Sequence, residues 1–304
     1  MKKRIVLAGG TGFIGQSLAP FLQSHGYEVV VLTRGLSCDG VIRHVHWDGR
    51  SADDWRREID GVFAVVNLTG RSINCRHTPQ HRREIIESRV DSIRALDHAI
   101  AHCARPPQVF VQTTGVGIYG DSGDRVCDET APHGSDFVAQ VCERWEAAAE
   151  SVNAPGMRRV ILRLGVVLGR DGGFLEVLGK LTRAFLGGHV GNGRQFISWI
   201  HITDLCRIVL AAIEREEIAG TFNATAPNPV TNAEFMRELR RALHRPWSPP
   251  VPTFATRIGA WLMGTEGKLA LVSQRCAPKR LVDSAFRFEF PTVREALAQI
   301  YPKS

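Results

Sequence analysis

The 304-residue sequence predicts an α/β protein, a doubly wound parallel sheet with a smaller C-terminal lobe. Three observations predict it. Short β-branched runs alternate with amphipathic stretches through the first half of the chain. A glycine cluster directly follows the first run. Beyond about residue 165 the alternation loosens into glycine-rich loops and a proline cluster, RPWSPPVP.

The predicted strands are KRIVLAG, YEVVVLT, VIRHVHW, GVFAVVNL, PQVFVQTT and RRVILRLG, most of them closed by turn residues. After the first, AGGTGFIGQSLAPFL opens an amphipathic helix in which Pro20 is an awkward residue. The longest helix, in PQHRREIIESRVDSIRALDHAIAHC, sets Ile85, Ile86, Val90, Ile93, Leu96 and Ile100 on one face. In GSDFVAQVCERWE, Phe137, Val138, Val141, Cys142 and Trp145 recur near helical spacing. No internal repeat is present.

Composition narrows the class. At 44% hydrophobic and 23% charged residues, the chain reads as an ordinary soluble globular protein. No apolar run approaches the roughly 20 residues that span a bilayer. MKKRIVLAGG reaches glycine directly after Ile5–Ala8, too soon for a signal-peptide core. The expectation is a cytoplasmic chain with no membrane partner. Cys38, Cys75, Cys103, Cys127, Cys142, Cys206 and Cys276 are scattered with no C-x-x-C pair, which suits reduced thiols and not metal or redox chemistry. The net charge of +7 comes mostly from arginine, mixed with Asp and Glu and outside any nucleic-acid motif. Anionic small ligands account for it better than nucleic acid does.

The glycines name the ligand class. Gly10, Gly12 and Gly15 satisfy G-x-G-x-x-G, and Gly9 adds an overlapping G-x-x-G-x-x-G. Placed between a strand and a helix, such a run gives a tight turn, close backbone approach to a pyrophosphate, and a helix N-terminus facing the anion. This is the Rossmann-type arrangement for a dinucleotide, with Gly9, Thr11, Gly12, Phe13, Ile14 and Gly15 at the ligand. NAD sites usually present an acid some 20 residues on, for the ribose 2′-hydroxyl. Here VVVLTRG offers Thr33 and Arg34, and arginine's fork suits a 2′-phosphate. The cofactor expected is NADP(H).

Taken together, GGTGFIG, 67-NLTG-70, 115-GVGIYG-120 and 191-GNGRQFISWIHITD-204 resemble the extended short-chain dehydrogenase/reductases. Within them the chain is similar to the atypical epimerase-like subgroup, whose short C-terminal domain resembles 251-VPTFATRIGAWLMGTEGKLALVSQRCAPKRL-281. The resemblance covers essentially the whole chain. It implies a Rossmann domain over 1–165, to which 198–226 return, with 166–197 and 227–304 forming the substrate lobe and C-terminal domain. It also implies that Asn67, Leu68, Thr69 and Gly70 line the adenosine and pyrophosphate side, with Asp48 near the adenine and Thr113 at the cofactor.

The departures concern catalysis. The superfamily uses a tyrosine acid/base, a lysine four residues on, a helper Ser/Thr and an asparagine. Their places here hold Phe137, Val141, Thr114 or Gly115, and Arg89. No misalignment restores the pair, because the only tyrosines are Tyr27, Tyr119 and Tyr301 and no lysine lies between Lys3 and Lys180. General acid–base work needs a titratable group near the reacting oxygen. Tyr119, on the GIYG loop, is the best-placed phenol, with a purely structural tyrosine as the alternative reading. Arg89 can supply the lysine's charge near the cofactor, but it cannot shuttle protons. His201, on a predicted strand, reads more readily as a buried structural histidine.

On the substrate side, Ile197 stands where nucleotide-sugar enzymes of the superfamily carry a diphosphate-gripping arginine. Phe137, Gln195 and Trp199, with Phe196, would line a more apolar pocket for a smaller or less charged molecule. The i,i+4 pairs His77/His81 and His98/His102 lack the acid of H-E-x-x-H, so no metal is expected. The sequence therefore predicts an NADP(H)-dependent oxidoreductase or epimerase, monomeric or homodimeric, acting on a small molecule with an altered catalytic set. The alternative is a non-catalytic NADP(H) sensor that works through a protein partner.

Overall fold

A computed structural model describes residues 2–51, 53–170, 172–254 and 266–302. The strands are β1 (Arg4–Ala8), β2 (Glu28–Thr33), β3 (Arg43–His46), β4 (Ala64–Asn67), β5 (Val109–Gly115), β6 (Val126–Cys127), β7 (Arg158–Leu164), β8 (Val166–Leu168), β9 (Phe196–Ile197), β10 (Trp199–His201), β11 (Gly220–Ala224), β12 (Val230–Thr231) and β13 (Arg275–Cys276). The helices are α1 (Phe13–Ser24), α2 (Pro79–Ala101), α3 (Phe137–Ser151), α4 (Gly173–Arg183), α5 (Ile202–Glu214), α6 (Asn232–Ala242), α7 (Lys279–Asp283) and α8 (Val293–Ile300).

Seven strands form one sheet in the order β3-β2-β1-β4-β5-β7-β11, every neighbour parallel. The six strand segments predicted from the sequence all lie in it. The seventh, β11, is short and partly polar (GTFNA), and joins because α5 carries the chain back to the edge of β7. The order reverses between β1 and β4, which opens a crevice beyond their carboxyl ends.

Alternation along the strands feeds two cores. Ile5, Leu7, Val31, Val66, Val111 and Leu162 pack with α1 and α5. Val6, Val30, Leu32, Val65, Phe110 and Ile161 face α2, α3 and Trp55. Each such fully buried side chain contributes about 1.5–3 kcal/mol of transfer free energy. Helix starts are fixed by side chains, with Thr78, Asp136, Thr231 and Thr292 each accepting the N–H of their own N3 residue. Pro20 is held inside α1.

A third core, with Leu168, Leu175, Trp199, Phe235, Leu239, Leu297 and Ile300, builds the C-terminal unit. Two short parallel pairs lie outside the main sheet: β8 with β10, which both feed this core, and β6 with β13, which joins the segment after β5 to the C-terminal region. Of the 251–281 segment, residues 255–265 lie outside the described residues.

Candidate functional site

The turn between β1 and α1 is built for an anion. Gly9 has φ +76°, a left-handed conformation that other residues resist. A Cβ on Gly15 would lie 2.3 Å from the Gly10 carbonyl oxygen, so only glycine lets α1 sit against the turn. Gly12 starts α1 in extended conformation, with no side-chain cap and no acid in the first turn. The first N–H groups of a helix have no intrahelical partner, and here nothing from a side chain neutralises them. Thr11 is exposed beside them, and Ile14 packs into the core. The Phe13 ring is covered by the 169–173 loop, where Cβ atoms on Gly169 and Gly172 would each approach it to 2.8 Å.

At the end of β2, Thr33 Oγ1 accepts the Gly35 N–H at 3.1 Å. Arg34 is exposed and makes no hydrogen bond or ion pair among the described residues. The next acid, Asp39, pairs with Arg43 at 3.4 Å. Asp48 accepts the N–H groups of Arg50 and Ser51, each at 2.8 Å. Burial alone would raise its pKa, but those bonds and the Ser51 hydroxyl hold it below the ordinary carboxylate value. Its carboxylate is spent on its own turn.

The strap after β4 is knitted inward. Asn67 is buried, donates to Gln112 Oε1 at 2.8 Å and accepts the Thr69 N–H at 3.1 Å. Thr69 Oγ1 lies 2.5 Å from Asn67 Oδ1 and 2.6 Å from Ser92 Oγ. Thr113 donates to the Asn67 carbonyl at 3.0 Å. The Asn67 and Thr113 side chains, expected to line the cofactor, are both engaged in shaping the strap. Leu68 packs against the core, and Gly70 faces Arg89.

Arg89 is 7% exposed. Its Nη1 donates to the carbonyls of Ile85 and Arg71, each at 2.9 Å. Its Nε has no partner, and Cζ lies 4.5 Å from the Trp145 ring centroid. A Cβ on Gly70 would stand 3.1 Å from that Cζ, so the missing side chain is what admits the guanidinium. Burial pushes its pKa down to about 10, opposed by the nearby Cys142 thiol, and no carboxylate among the described residues pairs with it.

The predicted catalytic residues give a different picture. Tyr119 is fully buried, and its hydroxyl donates to Asn223 Oδ1 at 2.7 Å and accepts from Arg163 Nη1 at 2.9 Å. Burial drives its pKa well above the ordinary phenol value. Thr114 donates to Glu146 Oε1 at 2.9 Å, and Glu146 also accepts from Arg163 Nε and Nη2 at 2.9 and 2.7 Å. The hydroxyls of Tyr119, expected as the acid/base, and of Thr114, expected at the helper position, are both closed inside a buried network. Glu146, Arg163 and Asn223 were not anticipated. The one clue is a charged residue, Arg163, inside the apolar run RRVILRLG.

Trp199, expected at the substrate pocket, lies in the interior. It is 0% exposed, donates its indole N–H to the Asn228 carbonyl at 3.0 Å and belongs to the C-terminal core. Gln195 donates to the carbonyls of Val190 and Ala270, each at 3.2 Å. Phe137, the first residue of α3, is half-buried. The His77 ring meets it edge-on at 5.0 Å, and the Arg82 guanidinium lies 4.7 Å from its centroid. His201 caps α5 through Nδ1 and bonds Gln299 through Nε2 at 3.0 Å, a structural histidine. No helix among the described residues is long and apolar enough to cross a membrane.

Comparison with known proteins agrees with this geometry. Residues 5–224 match the model of the NAD dependent epimerase/dehydratase family, and residues 251–300 match a domain of unknown function, DUF1731. The chain is 36% identical over 303 residues to the epimerase family protein SDR39U1 of Bos taurus, covering 98% of this chain and 99% of that one. It is 33% identical over 300 residues to YfhF of Bacillus subtilis, covering 97% of each. The crystal structure of human SDR39U1 (isoform 2) with NADPH superposes with a TM-score of 0.88 at 32% identity, covering 98% of this chain and 99% of that one. A UDP-N-acetylglucosamine 4-epimerase from Bacillus cereus, 17% identical with a TM-score of 0.77, shares the fold. With its glycine turn, parallel sheet and C-terminal unit together, this chain belongs to the NAD-dependent epimerase/dehydratase family, as an SDR39U1-like atypical short-chain dehydrogenase/reductase.

Proposed function

We propose that this protein is an NADP(H)-dependent oxidoreductase or epimerase, a monomer or homodimer, acting on a small substrate that carries no nucleotide diphosphate. The observation that carries the reading is the uncommitted Arg34 at the end of β2, beside an α1 N-terminus that no acid neutralises. The first turn of α1 would hold the pyrophosphate and Arg34 the 2′-phosphate. Arg89, buried without an acid, would lie against the rest of the bound dinucleotide. When bound, the cofactor supplies hydride chemistry. The relative crystallised with NADPH supports the same choice of cofactor.

The half-buried Phe137 and the absence of arginine at Ile197 favour a substrate of low charge over a sugar nucleotide. The closed Tyr119–Arg163–Glu146 network favours a second reading, a non-catalytic NADP(H) sensor. One experiment separates them. The protein is given NADPH deuterated at nicotinamide C4 together with a deproteinised cell extract, and metabolites are examined by mass spectrometry. A metabolite that gains the label only with active protein is the expected result, and it identifies the substrate. Firm NADPH binding without transfer leaves the sensor, or an epimerase that returns hydride to the same molecule. Failure to bind NADPH overturns both readings.

A further inference from the structure

Hydride addition to a carbonyl leaves negative charge on oxygen, and some group must deliver a proton within hydrogen-bond reach. In an open α/β sheet, ligands sit beyond the carboxyl ends of the strands next to the switch point, here β4 and β5. The titratable side chains gathered there are few. Tyr119, Glu146 and Arg163 are locked together. The Cys142 thiol lies near Gly115 and Gly117, but burial pushes its pKa up to about 12. Asp136 is spent as the cap of α3, accepting the Ala139 N–H at 2.9 Å. Arg89 holds its proton too firmly to exchange it. His133 is engaged at both ring nitrogens, by Glu143 Oε1 at 3.1 Å and by Arg163 Nη2 at 3.4 Å. Among the described residues gathered there, the imidazole of His77 keeps a nitrogen unengaged.

Its placement is specific. The loop that leaves β4 at Gly70 folds back so that the His77 ring meets the edge of Phe137, in the first turn of α3. The neighbouring Val138 would be 2.6 Å from a Cβ on Gly117, which puts that turn directly over the loop after β5. Arg82, from α2, donates Nε–H to the His77 carbonyl at 3.0 Å and covers the Phe137 ring, fixing loop and ring together. His77 Nε2 lies 3.0 Å from the Ile73 carbonyl oxygen. A carbonyl only accepts, so Nε2 carries the hydrogen and Nδ1 keeps the lone pair. No described residue engages Nδ1. The charged and titratable groups around it are Arg76 and His81, the latter held by the Arg76 carbonyl at 2.8 Å, then Arg82 and the Arg71–Glu84 pair. No uncompensated acid is among them.

We infer that His77 is the proton carrier of this site, an inference that rests on the oxidoreductase or epimerase reading above. In the reducing direction the Nδ1–H bond of the imidazolium breaks and an O–H bond forms on the substrate's carbonyl oxygen. The electron pair of the N–H bond stays on Nδ1, which regains a proton from solvent. The accompanying two-electron reduction of the carbonyl is balanced by oxidation of NADPH. In the oxidising direction Nδ1 takes the hydroxyl proton.

The test uses the full chain and has two readouts. Imidazole ¹⁵N NMR of the NADP⁺ complex, with His77→Gln assigning the resonance, is expected to show the Nε2–H tautomer and reversible protonation at Nδ1. The opposite tautomer, or a ring that does not titrate, overturns the inference. In the deuteride-transfer assay, His77→Gln and His77→Asn are expected to slow labelling about 10²–10⁴-fold. NADPH affinity should stay within about twofold, and the wild-type rate should lose, in the variants, its fall with rising pH. Transfer by both variants at the wild-type rate removes His77 and leaves the oxidoreductase reading standing. No transfer by wild type despite NADPH binding overturns net reduction, and with it the reducing step assigned to His77, leaving the sensor or an epimerase that returns its hydride.

Discussion

Two arginines without an acid partner stand at this crevice, and their surroundings set them different tasks. Arg34 is exposed at the end of β2, free to wrap a ligand. Arg89 is buried, with two of its bonds already given to carbonyls. A charge-assisted hydrogen bond is worth about 1.5–3 kcal/mol, or roughly 10–150-fold in affinity. Arg34→Ala should therefore weaken NADPH binding by about that factor while leaving NADH unchanged, as read by nucleotide fluorescence titration. An equal loss for both nucleotides, or none, would remove Arg34 from 2′-phosphate recognition. The place of Arg34 was legible in the sequence because it is set locally, one residue past a strand. Tyr119 was not, because its fate is set by Arg163 and Asn223, 44 and 104 residues away.

At the scale of elements, α3 shows how the fold holds its shape where the familiar catalytic pair is missing. Val141 is buried, and the helix is anchored instead by Glu146, which joins β5 through Thr114 and β7 through Arg163. Arg163 continues through Tyr119 and Asn223 to the carbonyls of Cys127 and Ala277, at 3.3 and 3.0 Å. One ionic network thus spans β5, α3, β7, β11 and the start of the C-terminal unit. The Glu146 and Arg163 side chains are each 6% exposed. Removing one partner of such a pair leaves an unpaired buried charge, which costs about 3–5 kcal/mol. Glu146→Ala should lower unfolding free energy by that amount in urea titration, and the double variant Glu146→Leu with Arg163→Met should recover much of it. A loss below about 1 kcal/mol would show that water reaches the pair. Amphipathic spacing announced the helix, whereas the network depends on side chains that tertiary packing alone brings together.

Across the whole molecule, several cores share one chain, and the joint between the sheet and the C-terminal helices decides whether they unfold as one. Asp204, in the first turn of α5, is completely buried and accepts the N–H groups of Glu289 and Phe290 at 2.8 and 2.9 Å. It also pairs with Arg207 at 2.9 Å. The ring of His201 packs at a tilt against Phe290, 4.0 Å between centroids, and its Nε2 reaches Gln299. These contacts clamp residues 289–300, including α8, onto a helix that covers the main sheet. Asp204→Ala leaves two backbone donors and a cation without their acceptor, a loss of about 3 kcal/mol or more. The sheet strands β1, β4 and β5 owe their protection to cores that Asp204 does not touch. Hydrogen exchange should therefore quicken from Glu289 through Ile300 in the variant, while those strands keep wild-type protection and NADPH affinity is unchanged. If the strands lose protection in step with α8, the C-terminal unit is not an appended lobe but part of a single cooperative fold, and the crevice depends on it for stability.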